Sequence, residues 1–289
     1  MKYYVFLVLS FFCFSQQPSH LVLGEEQLAG INIYSIIQDV DQSVVLSTNS
    51  GLFRYNSLSF ESIDSNLVGD QSLFGLIKNS KGTIFCYNLS GQLFFIHENK
   101  LKPYCTIPKA YLSSVIQLQI DNQDNLIVSC KKIIKIDKSR NIKVLYSFKS
   151  EEASSLAKDK LGKIYFYDDQ KMYALQNDLL HVYFTFPYHE NYLLKPYETN
   201  TGTVNFHVNT LSKGYYIDDK QLKEVNYKTQ SVVNENFSFF PSKTKALLWL
   251  ASSKNGIYCY RLNGDPLFDN QLLFKDYFIS SYFKLFRGY

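Results

Sequence analysis

Hydrophobic residues along this chain fall in short runs separated by polar turns. The clearest case is VVLSTNSGLFRYN at 44–56, where an apolar, β-branched run meets Asn49-Ser50-Gly51 and an aromatic run follows. Asn and Gly favour the left-handed backbone of tight hairpin turns. The segment therefore predicts a β-hairpin. Strand-like runs at 33–39 and 59–63 extend it to a unit of four short strands.

The same unit recurs at intervals of about 40 residues. A polar residue ends the first strand of each unit, at Asp39, Asn79, Asp121, Asp159, Asn200 and Ser242. Turn glycines follow the same period, with Gly82, Gly162 and Gly202 after first strands and Gly51, Gly91 and Gly256 after second strands. Two units have VDQS (40–43) and NQDN (122–125) in place of the first glycine, and we expect Asp and Asn to adopt its backbone there.

Four strands in about 40 residues is the period of a β-propeller blade. We therefore predict an all-β β-propeller with six full blades and the start of a seventh. The predicted blades lie near 30–66, 67–108, 109–149, 150–192, 193–230 and 231–277, with a partial blade at 278–289. The segment 16–29 contains a candidate ring-closing strand (19–28). A closed six-blade ring is the alternative, and the unfinished seventh unit leads us to expect a natural chain that continues past Tyr289.

The first residues differ from the rest. Lys2 precedes an apolar run from Tyr3 to Phe14, which is shorter than the ~20 residues that cross a bilayer as a helix. This pattern predicts a signal peptide over 1–15, and therefore export to the periplasm or the extracellular side of the inner membrane. A buried N-terminal strand is the alternative, while bulky Phe12 disfavours a lipid anchor on Cys13.

Charge and cysteine content narrow the function classes further. The chain carries 30 basic and 26 acidic residues, scattered along its length. The densest basic group, Lys131-Lys132 with Lys135, lies in a predicted strand, so we expect no nucleic-acid binding by this chain. Four cysteines follow the leader, without zinc spacing, and we expect buried thiols; a Cys86–Cys105 disulfide stays open.

Residues 33–63 carry a resemblance to a known family. Their pattern is Gln38-Asp39, then Ser47-Thr48, then Asn-x-Gly-Leu-x-Arg-Tyr-Asn from Asn49 to Asn56. It resembles the two-component regulator propeller repeat in the N-terminal sensor region of bacterial sensor histidine kinases and hybrid regulators of the Bacteroidetes type. Residues 247–264, with Trp249 and Tyr260, match it a second time, whereas the other blades match in period and polarity only.

The resemblance implies an exported region that senses an extracytoplasmic ligand, with an oligosaccharide as one candidate, and a homodimer through propeller faces. In that family a membrane helix and usually a histidine kinase follow the propeller. We recognise neither here, so we expect a truncated sensor that would meet a membrane only through those downstream parts.

Candidate chemistry is sparse. The histidines His20, His97, His181, His189 and His207 share no spacing. Asp39, Asp121 and Asp159 recur at one turn, where we expect them to cap the turn rather than to ring a channel mouth. Asp168-Asp169 and Asp218-Asp219 lack calcium-loop spacing. We therefore predict no catalytic residues, no metal site and no cofactor, and the ligand-binding residues are not assigned by sequence.

Three hypotheses follow. The first is a non-catalytic sensor region that binds an extracytoplasmic ligand and shifts a conformational equilibrium. The second is a propeller enzyme of the lyase or lactonase type, and the third is a passive scaffold for glycan or protein. Because the fold alone does not separate them, the resemblance is what favours the sensor.

Overall fold

The computed structural model describes residues 23–24, 26–64, 71–149, 154–159, 161–187, 193–198, 204–209, 214–218, 220–225, 237–241, 247–252 and 256–261. The predicted signal peptide, the fourth strand of the sixth blade and the partial seventh blade lie outside these residues.

The described chain forms strands joined by tight turns, with one short 3₁₀ turn at Lys109–Tyr111. The first three sheets contain β1 (Ile33–Gln38), β2 (Val44–Thr48), β3 (Gly51–Tyr55), β4 (Phe60–Ser62); β5 (Phe74–Lys78), β6 (Ile84–Tyr87), β7 (Gln92–His97), β8 (Lys100–Thr106); and β9 (Gln117–Ile120), β10 (Leu126–Ser129), β11 (Lys132–Ile136), β12 (Ile142–Ser147). The remaining sheets contain β13 (Ala157–Lys158), β14 (Ile164–Asp168), β15 (Lys171–Gln176), β16 (Leu179–Thr185); β17 (Leu193–Glu198), β18 (Val204–Asn209), β19 (Gly214–Asp218), β20 (Gln221–Glu224); and β21 (Phe237–Pro241), β22 (Leu247–Ser252), β23 (Gly256–Arg261).

Each sheet is an antiparallel meander in which every strand pairs with the next along the chain. The opening hairpin pairs Val44 with Tyr55 and Thr48 with Gly51, as its turn sequence predicts. First strands of successive sheets lie beside one another: β1 with β5, β5 with β9, β13 with β17, and β17 with β21. This is the β-propeller arrangement, with the first strand of each blade innermost. The predicted fold class is confirmed.

Burial follows the position of each strand in its blade. The second strands β6 and β10 are buried throughout, whereas the fourth strands, such as β12 and β16, alternate between partly buried and exposed residues. Apolar clusters lie between neighbouring sheets; one joins Phe85 of β6 to Leu126 of β10, and another joins Ile127 of β10 to Ile164 of β14. Burial of these facing surfaces therefore holds the blades together.

One turn confirms the expectation of a left-handed Asp or Asn, and another corrects it. In VDQS the left-handed residue is Gln42 (φ 68°), not Asp or Asn, whereas in NQDN it is Asp124 (φ 63°). In the candidate ring-closing segment, residues 26–30 form turns, and the Leu28 N–H donates to Gly24 O (2.8 Å). The rest of that strand prediction lies outside the described residues. Within the described part of the chain, no helix is long and apolar enough to span a membrane.

Candidate functional site

The antiparallel meander places the turns after the first and the third strand of every blade at one end of its sheet, here named the turn face. In the second, third and fourth blades, the polar residue that ends the first strand caps the turn that follows. The backbone N–H four residues later donates to Oδ1 of Asn79 (2.9 Å), Asp121 (2.8 Å) and Asp159 (2.8 Å). Asp39 instead accepts from the Val40 N–H (2.7 Å) and from Arg54 Nη1 (2.7 Å). Asp121 and Asp159 thus act as the expected turn caps, whereas in the first blade Asp41 accepts the Ser43 N–H (3.0 Å) in place of Asp39.

The same turns connect neighbouring blades. In each pair, the residue after the cap of one blade contacts the left-handed residue of the next blade's turn. The pairs are Val40 with Gly82, Ser80 with Asp124, and Asn122 with Gly162. At the second pair, Ser80 Oγ donates to Asp124 Oδ2 (2.6 Å). At the third, Asn122 Nδ2 donates to Leu161 O (2.6 Å), and Gly162 lies directly under the carboxamide.

An open cleft lies at the turn face between the third and fourth sheets. It is shallow, with a cavity volume of about 40 Å³. One wall is the β9–β10 turn, and the other combines the β13–β14 and β15–β16 turns. The cleft is lined by Asp121, Asn122, Gln123, Ile127, Gly162, Ile164, Leu175, Gln176, Asn177 and Asp178. Its rim is therefore rich in carboxamides, over a floor of three aliphatic side chains.

Two lysines balance the two carboxylates of the cleft. Lys135 Nζ on β11 lies 2.8 Å from Asp178 Oδ1 and 3.7 Å from Asp121 Oδ2, and Lys143 Nζ on β12 lies 2.9 Å from Asp178 Oδ2. The hydrogen bond with Asp178 raises the pKa of Lys135, and the hydrogen bonds with both lysines lower the pKa of Asp178. The network thus pairs two carboxylates with two ammonium groups, so its formal charges cancel.

The corresponding places at the two preceding blade junctions are filled. Between the first and second sheets, the Val40 side chain occupies the space beside Gly82, and Arg54 Nε donates to Asn99 Oδ1 (3.1 Å). Between the second and third sheets, three aromatic rings pack together, with centroids 5.2–6.3 Å apart: Phe85, Phe95 and Tyr104. The cleft therefore results from side chains that differ between blades of the same backbone plan.

The opposite ends of the innermost strands carry an aromatic stack. Tyr34 of β1 stacks on Phe74 of β5 with centroids 4.4 Å apart, and Phe74 stacks on Tyr87 at 5.9 Å. The Tyr87 hydroxyl donates to Ile116 O, and burial raises the pKa of Tyr87 to about 12. Since Tyr34 is 40% exposed, the stack presents one ring edge to solvent, and its other members serve the packing of adjacent blades.

The other sequence candidates are placed apart. The buried Asp168 accepts from the Tyr146 hydroxyl (2.8 Å) and the Lys149 N–H (3.2 Å), whereas Lys149 Nζ pairs with Asp169. His97 and His181 are exposed on strands of different blades. His20, His189 and the side chains of His207, Asp218 and Asp219 lie outside the described part of the chain. Within that part, no group of three or more metal-ligating side chains converges.

The described cysteines are free thiols. Cys86 lies on β6 and Cys105 on β8, with β7 between them. Two strand spacings are about 9.5 Å, too far for a disulfide. The Cys86–Cys105 bridge left open by the sequence therefore does not form. Burial raises the pKa of Cys86, Cys105 and Cys130. Cys13 and the Cys259 side chain lie outside the described residues.

The cleft residues carry no local sequence signal. The pattern predicts Asp121 only as a turn cap and Lys135 only as a member of a basic group. By strand pairing, Ile127 and Lys135 stand where the second blade has Phe85 and Phe95. Alignment on the caps alone would place Asp137 opposite Phe95, because the second hairpin of the third blade is two residues shorter.

Several solved structures resemble this chain. The extracellular domain assigned to a hybrid two-component system from B. thetaiotaomicron matches with a TM-score of 0.64 at 15% identity, covering 91% of this chain and 36% of that one. The catalytically inactive virginiamycin B lyase from Staphylococcus aureus matches with a TM-score of 0.62 at 12% identity, over 78% of each chain. The chain is a β-propeller. Identities this low show the fold alone. No protein-family model and no curated protein sequence matches this propeller.

Proposed function

We propose that this propeller is a non-catalytic, exported ligand-binding region that serves as the sensor of a two-component signal-transduction protein. The observation that carries the proposal is the cleft between the third and fourth blades. It combines an apolar floor with several hydrogen-bonding side chains, which is the usual composition of small-molecule sites.

The titratable groups with a resolved pKa shift do not single out a general acid or base. A general acid or base works best with a pKa near the operating pH. Among the described residues, every shift moves a group away from neutrality: hydrogen bonds lower the pKa of Asp41, Asp124, Asp137 and Asp178, and burial raises that of buried thiols and phenols such as Cys86 and Tyr87. None of these side chains is thus prepared for proton transfer at neutral pH.

The sensor role is supported by two further observations. The repeat motif at 33–63 resembles that of two-component regulator propellers, and one solved structure of similar fold is an extracellular domain assigned to a hybrid two-component system. The apolar segment after Lys2 supports export. A ligand between two blades contacts both of them, so it can favour one arrangement of the blades over another, which is what sensing requires.

A lyase-type enzyme is the second candidate. The similarity to virginiamycin B lyase extends over equal shares of both chains, 78% of each, so the two proteins have propellers of comparable size. This candidate predicts that a bound compound is chemically altered.

One experiment separates the two candidates. The purified chain is incubated with a library of small metabolites and sugars; thermal shift reports binding, and mass spectrometry reports the fate of each compound. The sensor proposal expects a compound that raises the melting temperature and is recovered unchanged. Conversion of the compound at catalytic enzyme concentration would support the lyase instead. Fractionation of producing cells tests export, and retention in the cytoplasm would contradict the proposal.

A further inference from the structure

We propose that the outer edge of the fourth blade binds an extended, uncharged segment of a partner polypeptide, which joins the sheet as a fifth strand. The edge is β16 (Leu179–Thr185), the fourth strand of this blade. This inference does not depend on the cleft or on the proposed ligand. Three observations support it: the direction of the backbone hydrogen-bonding groups, the residues that protect the other blades, and the exposed apolar side chains of β16.

The backbone of β16 offers hydrogen-bonding groups at its outer edge. Among the described residues, β16 pairs with β15 alone. In an antiparallel pair, alternate residues exchange both backbone hydrogen bonds with the partner strand, and the residues between them direct these groups to the other side. The two-residue turn at 177–178 makes Gln176 and Leu179 a hydrogen-bonded pair. Leu180 and Val182 therefore direct their N–H and C=O groups away from the blade.

The three longest fourth strands can be aligned residue by residue, because β8, β12 and β16 each have a register shift at the same place. The two positions before the shift hold Lys102 and Pro103 in β8, Lys143 and Val144 in β12, and His181 and Val182 in β16. Proline has no N–H to donate within a sheet. Pro103 therefore indicates independently that the N–H at the Val182 position points outward.

The other fourth strands are protected against pairing with a further strand. Natural proteins protect sheet edges by short strands, charged side chains and proline. β8 contains two lysines and a proline, and β12 contains one lysine. β4 has 3 residues with Glu61, and β20 has 4 residues with Lys223 and Glu224. β16 has 7 residues and contains no Lys, Arg, Asp, Glu or Pro. Of these five fourth strands, which are those that the structure describes, β16 alone lacks such protection.

The side chains along this edge define the chemistry of the partner. Leu179 is 72% exposed and Val182 is 49% exposed. Tyr183 is half-buried, with its ring 5.2 Å from that of Tyr165. An added strand places its own side chains beside these, where β-branched and aromatic cross-strand pairs stabilise a sheet. A charged side chain would lose hydration there without gaining an ionic partner on β16. The edge therefore fits an uncharged segment that contains β-branched or aromatic residues.

The shape of the edge favours a flexible segment over a second copy of the chain. The register shift after Val182 bends the strand, so the straight part covers residues 179–182 and is about 14 Å long. Two copies paired along so short an edge would bury far less than the ~800 Å² per partner of a stable interface. An extended peptide can follow the bend, and it gains affinity from main-chain hydrogen bonds.

The test uses the full chain and a fluorescein-labelled peptide of seven alternating threonine and valine residues. One comparator is a peptide of alternating threonine and lysine, and the other is the first peptide with every backbone nitrogen methylated, which removes its main-chain donors. Fluorescence anisotropy reports the affinity, and hydrogen–deuterium exchange with mass spectrometry reports which strand is protected. We expect the threonine–valine peptide to bind about tenfold more tightly than either comparator and to slow exchange in residues 179–185.

Two variants and a matched control locate the binding. H181K introduces the lysine that β8 and β12 carry at this position, and V182P removes the outward N–H in the way that proline does in β8. V144P makes the same change at the corresponding position of β12 and serves as the control. We expect H181K and V182P each to weaken binding of the threonine–valine peptide by about three- to tenfold, and V144P to leave it unchanged. H181K retains the backbone N–H, so it remains informative if V182P does not fold.

Several results would overturn the inference. It fails when the threonine–valine peptide does not bind, when its methylated form binds equally well, or when H181K binds it like V144P. A wild-type dimer in sedimentation that H181K dissociates would identify a second copy as the occupant. Exchange in residues 179–185 of the free protein as slow as in β14 would show that the same chain covers the edge. Either finding would also overturn the inference, whereas the metabolite screen for the sensor role is unaffected by all of them.

Discussion

A single methyl group at Gly162 tests the contact that joins the third and fourth blades. Gly162 has φ +80°, and a Cβ atom there would overlap the Asn122 carboxamide. Gly51 offers a matched control because it has φ +98° and nothing within 4 Å of its added Cβ. G162A therefore combines backbone strain with a steric conflict, whereas G51A carries the strain alone.

The magnitudes follow from these geometries. A left-handed backbone costs an alanine about 1–2 kcal/mol, so G51A should lower the free energy of unfolding by that amount. In G162A the exposed Asn122 side chain can turn into solvent, but it then loses its bond to Leu161 O (2.6 Å), worth about 0.5–1.5 kcal/mol. The expected total for G162A is about 1.5–3.5 kcal/mol.

A double-mutant cycle with N122A isolates the contact. In the N122A background the conflict is gone, so G162A should cost only the strain, about 1–2 kcal/mol. Urea unfolding of the four proteins, followed by circular dichroism, gives the values by linear extrapolation. Equal costs of G162A with and without Asn122 would refute the conclusion that the turn glycine accommodates the neighbouring blade's carboxamide.

Three other perturbations probe the ion network and the core. Hydrogen bonds with Lys135 and Lys143 lower the pKa of Asp178 below 3.8. Asp178 therefore stabilises the fold above that pH and loses this effect as pH falls through its folded pKa. The difference in unfolding free energy between wild type and D178N, measured by urea unfolding, should be largest above pH 5 and shrink toward pH 2–3. A gap that is constant with pH would contradict the ion-pair assignment. Phe206 is fully buried and packs edge-on against Tyr165, with ring centroids 4.6 Å apart. F206A should therefore lower the free energy of unfolding by about 3–5 kcal/mol, whereas V182A, on the exposed side of β16, should change it by no more than about 0.5 kcal/mol. Comparable unfolding midpoints for the two variants would argue against this core. Y87F leaves the buried Ile116 carbonyl without its donor and should cost about 1–3 kcal/mol in the same assay, while an unchanged midpoint would mean that the Tyr87 hydroxyl does not bridge the blades.

The strand positions were predictable because strands and turns alternate with local, repeated signals. Thr48 and Gly51 close the first hairpin as their residue types require, and the buried second strands are the most apolar ones. The cap role of Asp121 and Asp159 followed from the same local chemistry. Each of these features depends on residues within a few positions of one another.

The departures share a different cause, which is dependence on neighbours that are distant in sequence. Gln42 adopts φ 68° although its residue type does not favour it, in a turn whose neighbouring Val40 packs against Gly82 of the next blade. Cys86 and Cys105 are close in sequence, yet β7 separates them. The cleft residues Gln123 and Asn177 lie 54 positions apart and meet only across a blade junction. Periodicity predicts that such a junction exists, but not which side chains fill it.

Repetition supplies an internal comparison that a non-repeating fold lacks. The first three junctions share one frame of caps, turns and paired strands, so differences among them come from side chains rather than from backbone shape. Arg54 reaches Asn99 at the first junction, aromatic rings close the second, and Lys135 reaches Asp178 at the third. Arg54 and Lys135 occupy the same strand position, and both reach toward the next blade. Of these two junctions, the third has a rim of carboxamides where the first has the Val40 side chain. The side chains at a blade junction can therefore change, while the buried second strands continue to hold the fold.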